Sequence, residues 1–180
     1  MADEALVRLK KGNLAYLNAK TGLGDISPET RKATSENGQK PYAVVITCSD
    51  SRVIPEYIFS AGLGELFVVR VAGNVIDDHA LGSIEYAVEH LGCKLVLVLG
   101  HTRCGAVGAA FGKHKSYIGL LADEIKCAIG TETDAEQASI LNIKHSVAKI
   151  QKLLKPTDDV FITGALYRTE SGEVDFAVNG

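Results

Sequence analysis

The chain has no tryptophan, a single methionine and only four prolines among its 180 residues. Its other absences exclude more. The longest apolar run is Leu95-Val96-Leu97-Val98-Leu99, far short of the ~20 residues that a bilayer-spanning helix needs. The opening Met1-Ala2-Asp3-Glu4-Ala5 is acidic and lacks the apolar stretch of a secretory signal. It reads as cytoplasmic, with a trimmed organelle-targeting segment as the other possibility. Basic residues are scattered, and 19 Lys and Arg stand against 22 Asp and Glu, a net charge of −3. No basic stripe exists to carry nucleic-acid binding. Asn142 begins no glycosylation sequon, because Lys144 holds the third place. Gly62-Leu63-Gly64 is a turn before a strand, since no helix start or lysine follows as a phosphate loop requires.

What is present is an alternation of two periods. Ala5, Leu6, Leu9, Leu14 and Leu17 recur at helical spacing, which predicts a helix over about 3–19. A loop follows from Thr21 to Pro41. Tyr42–Thr47, Glu65–Val71 and Lys94–Leu99 read as buried strands, the last ended by Gly100. Asp78–Leu91 reads as a helix closed by Gly92. Gly105–Phe111, Tyr117–Ile129 and Asp134–Leu154 are further helices, and Asp158–Tyr167 with Glu173–Val178 flank Ser171-Gly172 as a terminal hairpin. This predicts an α/β fold: a mainly parallel central sheet flanked by helices, with a C-terminal hairpin strand. One domain is expected over 1–180, with a helical arm and loop at 1–40, a core at 41–112, and helices plus hairpin at 113–180.

Four cysteines are present, Cys48, Cys93, Cys104 and Cys127, with no C-x-x-C pair. In a chain without a secretory signal, thiols are metal ligands or buried apolar residues more often than disulfides. A thiol-based redox role lacks its motif. Cys48 ends one predicted strand; His101 follows another, and Cys104 lies three residues on. Open α/β sheets form sites outside the carboxyl ends of their strands, so these segments are expected to meet. Two thiolates and an imidazole suit tetrahedral zinc. Gly100 and Gly105 leave the backbone free to turn between them, and the small residues Gly105–Gly108 read as close packing beneath the site. Cys93 lies before the strand whose far end carries His101, about 20 Å away at ~3.3 Å per residue, so the fourth position stays open to water or to Asp50. Asp50 and Arg52 can pair side by side, Arg52 keeping Asp50 ionised.

Cys48-Ser49-Asp50-Ser51-Arg52-Val53, Pro55-Glu56, Arg70-Val71-Ala72-Gly73-Asn74, Ser83-Ile84-Glu85-Tyr86-Ala87 and Gly100-His101-Thr102-Arg103-Cys104-Gly105 occur in that order. Over about residues 35–112 the chain resembles the β-class carbonic anhydrases. The resemblance implies one Zn²⁺ per chain on Cys48, His101 and Cys104, with Asp50 a fourth ligand in a closed state. It implies an Asp50–Arg52 catalytic dyad, Gln39 binding substrate or bicarbonate, and Phe67, Ala72 and Tyr86 lining a CO₂ pocket. Some of these come from a neighbouring subunit in the family, so a homodimer or higher even oligomer is implied. Val71 departs from the family, where many members carry Asn. A Trp-built regulatory bicarbonate site, found in a subset, has no counterpart here.

The implied reaction is reversible hydration of CO₂ to bicarbonate and a proton, by attack of zinc-bound hydroxide that Asp50 orients and Arg52 supports. Zinc lowers the pKa of bound water from ~15.7 to about 7. Two thiolates neutralise the ion's formal charge, so activity is expected to rise from neutral to alkaline pH. His79 and His114 lie nearest the motifs; no histidine is assigned as proton shuttle. Two alternatives use the same residues: hydrolysis of carbonyl sulfide or carbon disulfide, and a non-catalytic zinc-binding homologue. The intact Asp50–Arg52 pair counts against the second.

Overall fold

The computed structural model describes residues 1–19, 24–154 and 159–178, leaving the start of the expected loop at Thr21 and Asp158 outside the described residues. Its elements run α1 Ala2–Asn18, α2 Pro28–Asn37, β1 Ala43–Thr47, α3 Pro55–Ile58, β2 Leu66–Arg70, a 3₁₀ turn Ala72–Asn74, α4 Asp78–Glu89, β3 Leu95–His101, α5 Gly105–Ala109, α6 Ser116–Ile129, α7 Ala135–Leu154, β4 Phe161–Tyr167 and β5 Val174–Asp175. The strand order is β2-β1-β3-β4-β5. The first four are parallel, and β5 returns antiparallel to β4 across the expected hairpin.

The continuous apolar runs follow from this layout, because a parallel sheet is covered on both faces. All seven residues of β3 are buried. Successive side chains point to opposite faces. Leu95, Leu97 and Leu99 join Leu9 of α1, Ile58 of α3 and Phe59 on one side. Val96 and Val98 join Ile84 of α4 and Ile143, Val147 and Ile150 of α7 on the other. Gly12 lets α1 seat: a Cβ there would lie 1.9 Å from the Phe59 carbonyl oxygen. Gly92 takes φ +73° after α4 and lets the Cys93 amide reach back to the Ala87 carbonyl at 3.0 Å.

Two sequence expectations need correction. The segment expected as loop from Thr21 to Pro41 contains α2, capped by the Ser27 hydroxyl on the Thr30 amide and opened by Pro28. Serine at the cap and proline in the first turn are a strong local start signal. The helix buries no residue, so the apolar stripe that betrays most helices is missing. Second, β3 does not end at Gly100. Gly100 and His101 pair with Leu166 and Tyr167 of β4, which carries the strand through the histidine.

Candidate metal centre

Strand order positions the centre. From β1 the chain moves to β2 on one side of it, then crosses to β3 on the other, so β1 and β3 are neighbours whose carboxyl ends flank the switch in direction. Cys48 leaves the end of β1, and His101 is the last residue of β3. Cys104 immediately precedes α5, which starts at Gly105. The ligand atoms of Cys48, His101 and Cys104 all lie within 4.8 Å of one another, and all three residues are buried. The two sulfurs are 4.0 Å apart. The tight turn between His101 and Cys104 places its positive φ at Arg103, +55°, not at a glycine. Of the stretch Gly105–Gly108 expected to pack beneath the site, Val107 and Ala106 do so, with Val75, Ala110, Ile125 and Ile129, whereas a Cβ at Gly105 or Gly108 would meet nothing within 4 Å among the described residues.

The donor set fits a cation. His101 Nδ1 sits 2.9 Å from the Thr102 carbonyl oxygen, which selects the tautomer with a proton on Nδ1. Nε2 is then a lone-pair donor. It is buried without a hydrogen-bond partner, the one such side-chain atom found among the described residues. An orphaned acceptor carries a desolvation cost unless something occupies it. Proximity to Cys104 is the main reason the Cys48 thiol falls to about 4, helped by His101 and by the Gly73 and Asp50 amides. The same proximity and burial push Cys104 up, against the pull of the Val107 and Ala106 amides. Metal binding by thiols requires the thiolate form, and the surroundings of Cys48 favour it.

Asp50 faces this group. Its Oδ2 lies 3.9 Å from His101 Nε2, and its side chain is 17% exposed. Arg52 donates from Nε to Oδ1 at 3.0 Å, from Nη2 to Oδ2 at 2.7 Å, and from its backbone amide to Oδ1 at 2.9 Å. These bonds hold the Asp50 carboxyl well below the usual carboxylate range. Arg70 anchors the loop from beneath, with Nε on the Cys48 carbonyl at 3.3 Å and Nη2 on the Asp50 carbonyl at 2.9 Å. The pair can therefore present an ionised, acceptor-only carboxylate beside three metal-ligand atoms.

The remaining expected residues separate into two groups. Ala72 opens the 3₁₀ turn beside Cys48. Gln39 is exposed four residues before β1, at the end of the sheet away from Cys48. Phe67 lies on β2 opposite Val44, three residues before Arg70, and packs on exposed Tyr86 with ring centroids 6.2 Å apart. A single chain does not bring Gln39, Phe67 and Tyr86 to the ligand group. Cys93 donates to the Pro41 carbonyl at the far end of β3, and Cys127 is exposed on α6, so neither joins it. Sequence reading missed Gly73, whose amide donates to Cys48 Sγ at 3.2 Å. The Gly73-Asn74 pair, a common left-handed turn signal, was its visible trace.

The model of the family described as carbonic anhydrase matches residues 43–174. Carbonic anhydrase 2 of Mycobacterium tuberculosis is 51% identical over 102 residues, covering 57% of this chain and 49% of the relative. A Pseudomonas aeruginosa carbonic anhydrase is 38% identical over 116 residues, covering 61% and 50%. The chain thus spans about half the length of the curated relatives it matches. Among solved structures, a Coccomyxa β-carbonic anhydrase in complex with acetazolamide superposes with a TM-score of 0.74 at 24% identity, covering 83% of this chain and 78% of that one. One of two tetrameric β-carbonic anhydrases from Sordaria macrospora gives 0.71 at 21%, covering 83% and 91%. At such identities the structures speak for the fold.

Proposed function

Because the chain belongs to the carbonic anhydrase family, in its β class, we propose that it is a zinc enzyme catalysing the reversible hydration of carbon dioxide to bicarbonate and a proton. The observation that carries the reading is the Asp50 carboxylate, locked by Arg52 and held 3.9 Å from the unpartnered His101 Nε2, beside the Cys48 and Cys104 sulfurs. A purely structural metal site has no use for a carboxylate so placed.

Cys48, His101 and Cys104 would hold the ion, one per chain. A zinc ion held there supplies the Lewis acidity that makes water a nucleophile near neutral pH, lowering its pKa from ~15.7 to about 7. Asp50, ionised and acceptor-only, takes a hydrogen bond from the nucleophile and aims its lone pair at the CO₂ carbon. Arg52 fixes the carboxylate by its fork and fixes the Arg103 loop through that carbonyl at 3.1 Å. CO₂ is apolar and needs an apolar slot, for which Ala72 stands on the near side. Gln39, Phe67 and Tyr86 serve the site of a second copy in a homodimer or higher even oligomer. Strand β2, at the edge of the sheet among the described residues, with Phe67, Val68 and Val69 only half-buried, favours that assignment. The reduced thiols of the centre suit the cytoplasm.

The test is CO₂ hydration in stopped flow on the purified chain and on Asp50→Ala, with zinc content and sedimentation mass measured for both. Fast hydration by the parent and slow hydration by a zinc-replete variant is the expected result. A chain that carries one zinc and shows no hydration at pH 8.5 sinks the reading.

A further inference from the structure

We infer that Asn142 of α7 is a positioning residue for Cys48, acting through the backbone of the turn Ala72–Asn74. The inference rests on the reading of Cys48 as a zinc ligand.

Helix α7 is mostly an apolar wedge, with Ile143, Val147 and Ile150 in the core. Asn142 and Ser146, four residues apart and so on one helix face, are buried at 3% and 2% exposure. A buried amide is costly unless it is hydrogen-bonded, and this one has a specific target. Asn142 Nδ2 donates to the Gly73 carbonyl at 2.8 Å. Ser146 Oγ donates to the Asn74 carbonyl at 3.3 Å, and Asn74 Nδ2 lies 3.4 Å from Ser146 Oγ.

The backbone they hold is unusual. Gly73 and Asn74 are consecutive left-handed residues, φ +66° and +47°. Gly73 has no room for a side chain: a Cβ would lie 2.7 Å from Ile125 Cδ1 and 3.1 Å from Ala106 Cβ. This conformation turns the Gly73 amide onto Cys48 Sγ, 3.2 Å away. Carbonyl and amide of Gly73 are separated only by its φ and ψ, so a helix that holds the carbonyl, with Ile125 and Ala106 crowding the Cα, narrows the directions open to the N–H. An amide donated to a thiolate stabilises its charge and orients its lone pairs, and such outer contacts set metal affinity. Asn142 is therefore linked to Cys48 through one residue of backbone, without touching it.

The experiment uses the zinc-loaded chain, Asn142→Leu, the milder Asn142→Ser, whose hydroxyl falls short of the Gly73 carbonyl, and Val147→Ala. The last removes core contacts from the same helix without touching the turn. Zinc affinity is read by chelator competition, and the thiolate-to-metal charge-transfer band by cobalt(II) substitution. Asn142→Leu is expected to weaken zinc about 10–100-fold, in line with other supporting-residue losses, and to change the band. Asn142→Ser shows a smaller loss of the same kind. Val147→Ala loses thermal stability and keeps both affinity and band. Parental affinity and an unchanged band in the Asn142 variants overturn the inference, as does a zinc loss in Val147→Ala equal to that in Asn142→Leu. A Cys48→Ala control separates the two readings: if it keeps zinc at parental affinity, the ligand assignment fails, and this inference fails with it.

Discussion

Arg52 grips Asp50 with two parallel hydrogen bonds, Nε to Oδ1 at 3.0 Å and Nη2 to Oδ2 at 2.7 Å, while Nη2 also reaches the Arg103 carbonyl at 3.1 Å. The fork thus ties the carboxylate to the turn between His101 and Cys104. Asp50→Asn keeps the size of the side chain and exchanges an acceptor for a donor on one arm. Its kcat for hydration is expected to fall about 10²–10⁴-fold, the range for a positioned proton acceptor, with zinc content unchanged. Arg52→Lys keeps the charge and loses the planar fork, and is expected to fall between the parent and Asp50→Asn. Parental kcat in zinc-replete Asp50→Asn would show that the carboxylate is only a loop anchor.

Tyr42 gives the fold a pH dependence far from the metal. Burial pushes its hydroxyl up to about 12, against the pull of the Arg8 guanidinium 4.0 Å over the ring. The folded chain favours the neutral phenol, whose unfolded pKa is near 10. The contribution is fully present below about pH 10 and is lost as pH rises toward 12. Tyr42→Phe lacks the group, so the stability gap between parent and variant is expected to be constant from pH 7 to 9 and to shift against the parent above 10. Urea melts across that range read it directly; parallel stabilities through pH 11.5 would mean that the hydroxyl stays solvated.

Gly100 sits one residue before His101, where a Cβ would lie 2.5 Å from Ile143 Cγ1. Ile143 is fully buried and also crowds Gly164, whose Cβ would meet Cγ2 at 2.4 Å. Gly100→Ala therefore overpacks the core, at a cost of about 1–3 kcal/mol. Ile143→Val alone costs about 0.5–1.5 kcal/mol, but beneath Gly100→Ala it removes Cδ1, which would lie 2.6 Å from the added Cβ, and relieves part of the crowding while the Cγ1 contact remains. The double variant is expected to be more stable than the sum of the two losses predicts. Strict additivity in denaturant melts would show that strand β3 shifts instead of straining.

The ligand residues were legible because their signals are local: thiol and imidazole at the ends of buried runs, with Asp50 and Arg52 two residues apart. The parallel sheet was legible for the same reason, each strand being an apolar run between helical periods. What escaped was non-local. Gly100 and His101 belong to β3 because Leu166 and Tyr167 pair with them, a partner that no window around residue 100 contains. The Gly73 amide reaches back 25 residues to Cys48, and Asn142 reaches back 69 to Gly73. Helix α2 escaped for the opposite reason: its local cap was plain, but it packs nothing into the core, so periodicity was silent.

Metal removal should uncouple the centre from the fold. The ligands join the ends of β1 and β3 to the start of α5, whereas the two main apolar layers lie along the strands and need no ion to form. An ion bound only by the folded chain, at a free concentration 100 times its Kd, adds about 2.7 kcal/mol. For a chain of this size each kcal/mol moves Tm by roughly 2–4 °C, so chelation is expected to lower Tm by about 5–11 °C. Far-UV circular dichroism at 25 °C should stay unchanged, hydration should vanish, and added zinc should restore both Tm and activity. If chelation at 25 °C instead abolishes the helical signal, the ion is a clamp on which folding depends. In that case loss of hydration on chelation would say nothing about catalysis, and the functional reading would rest on the Asp50 variants alone.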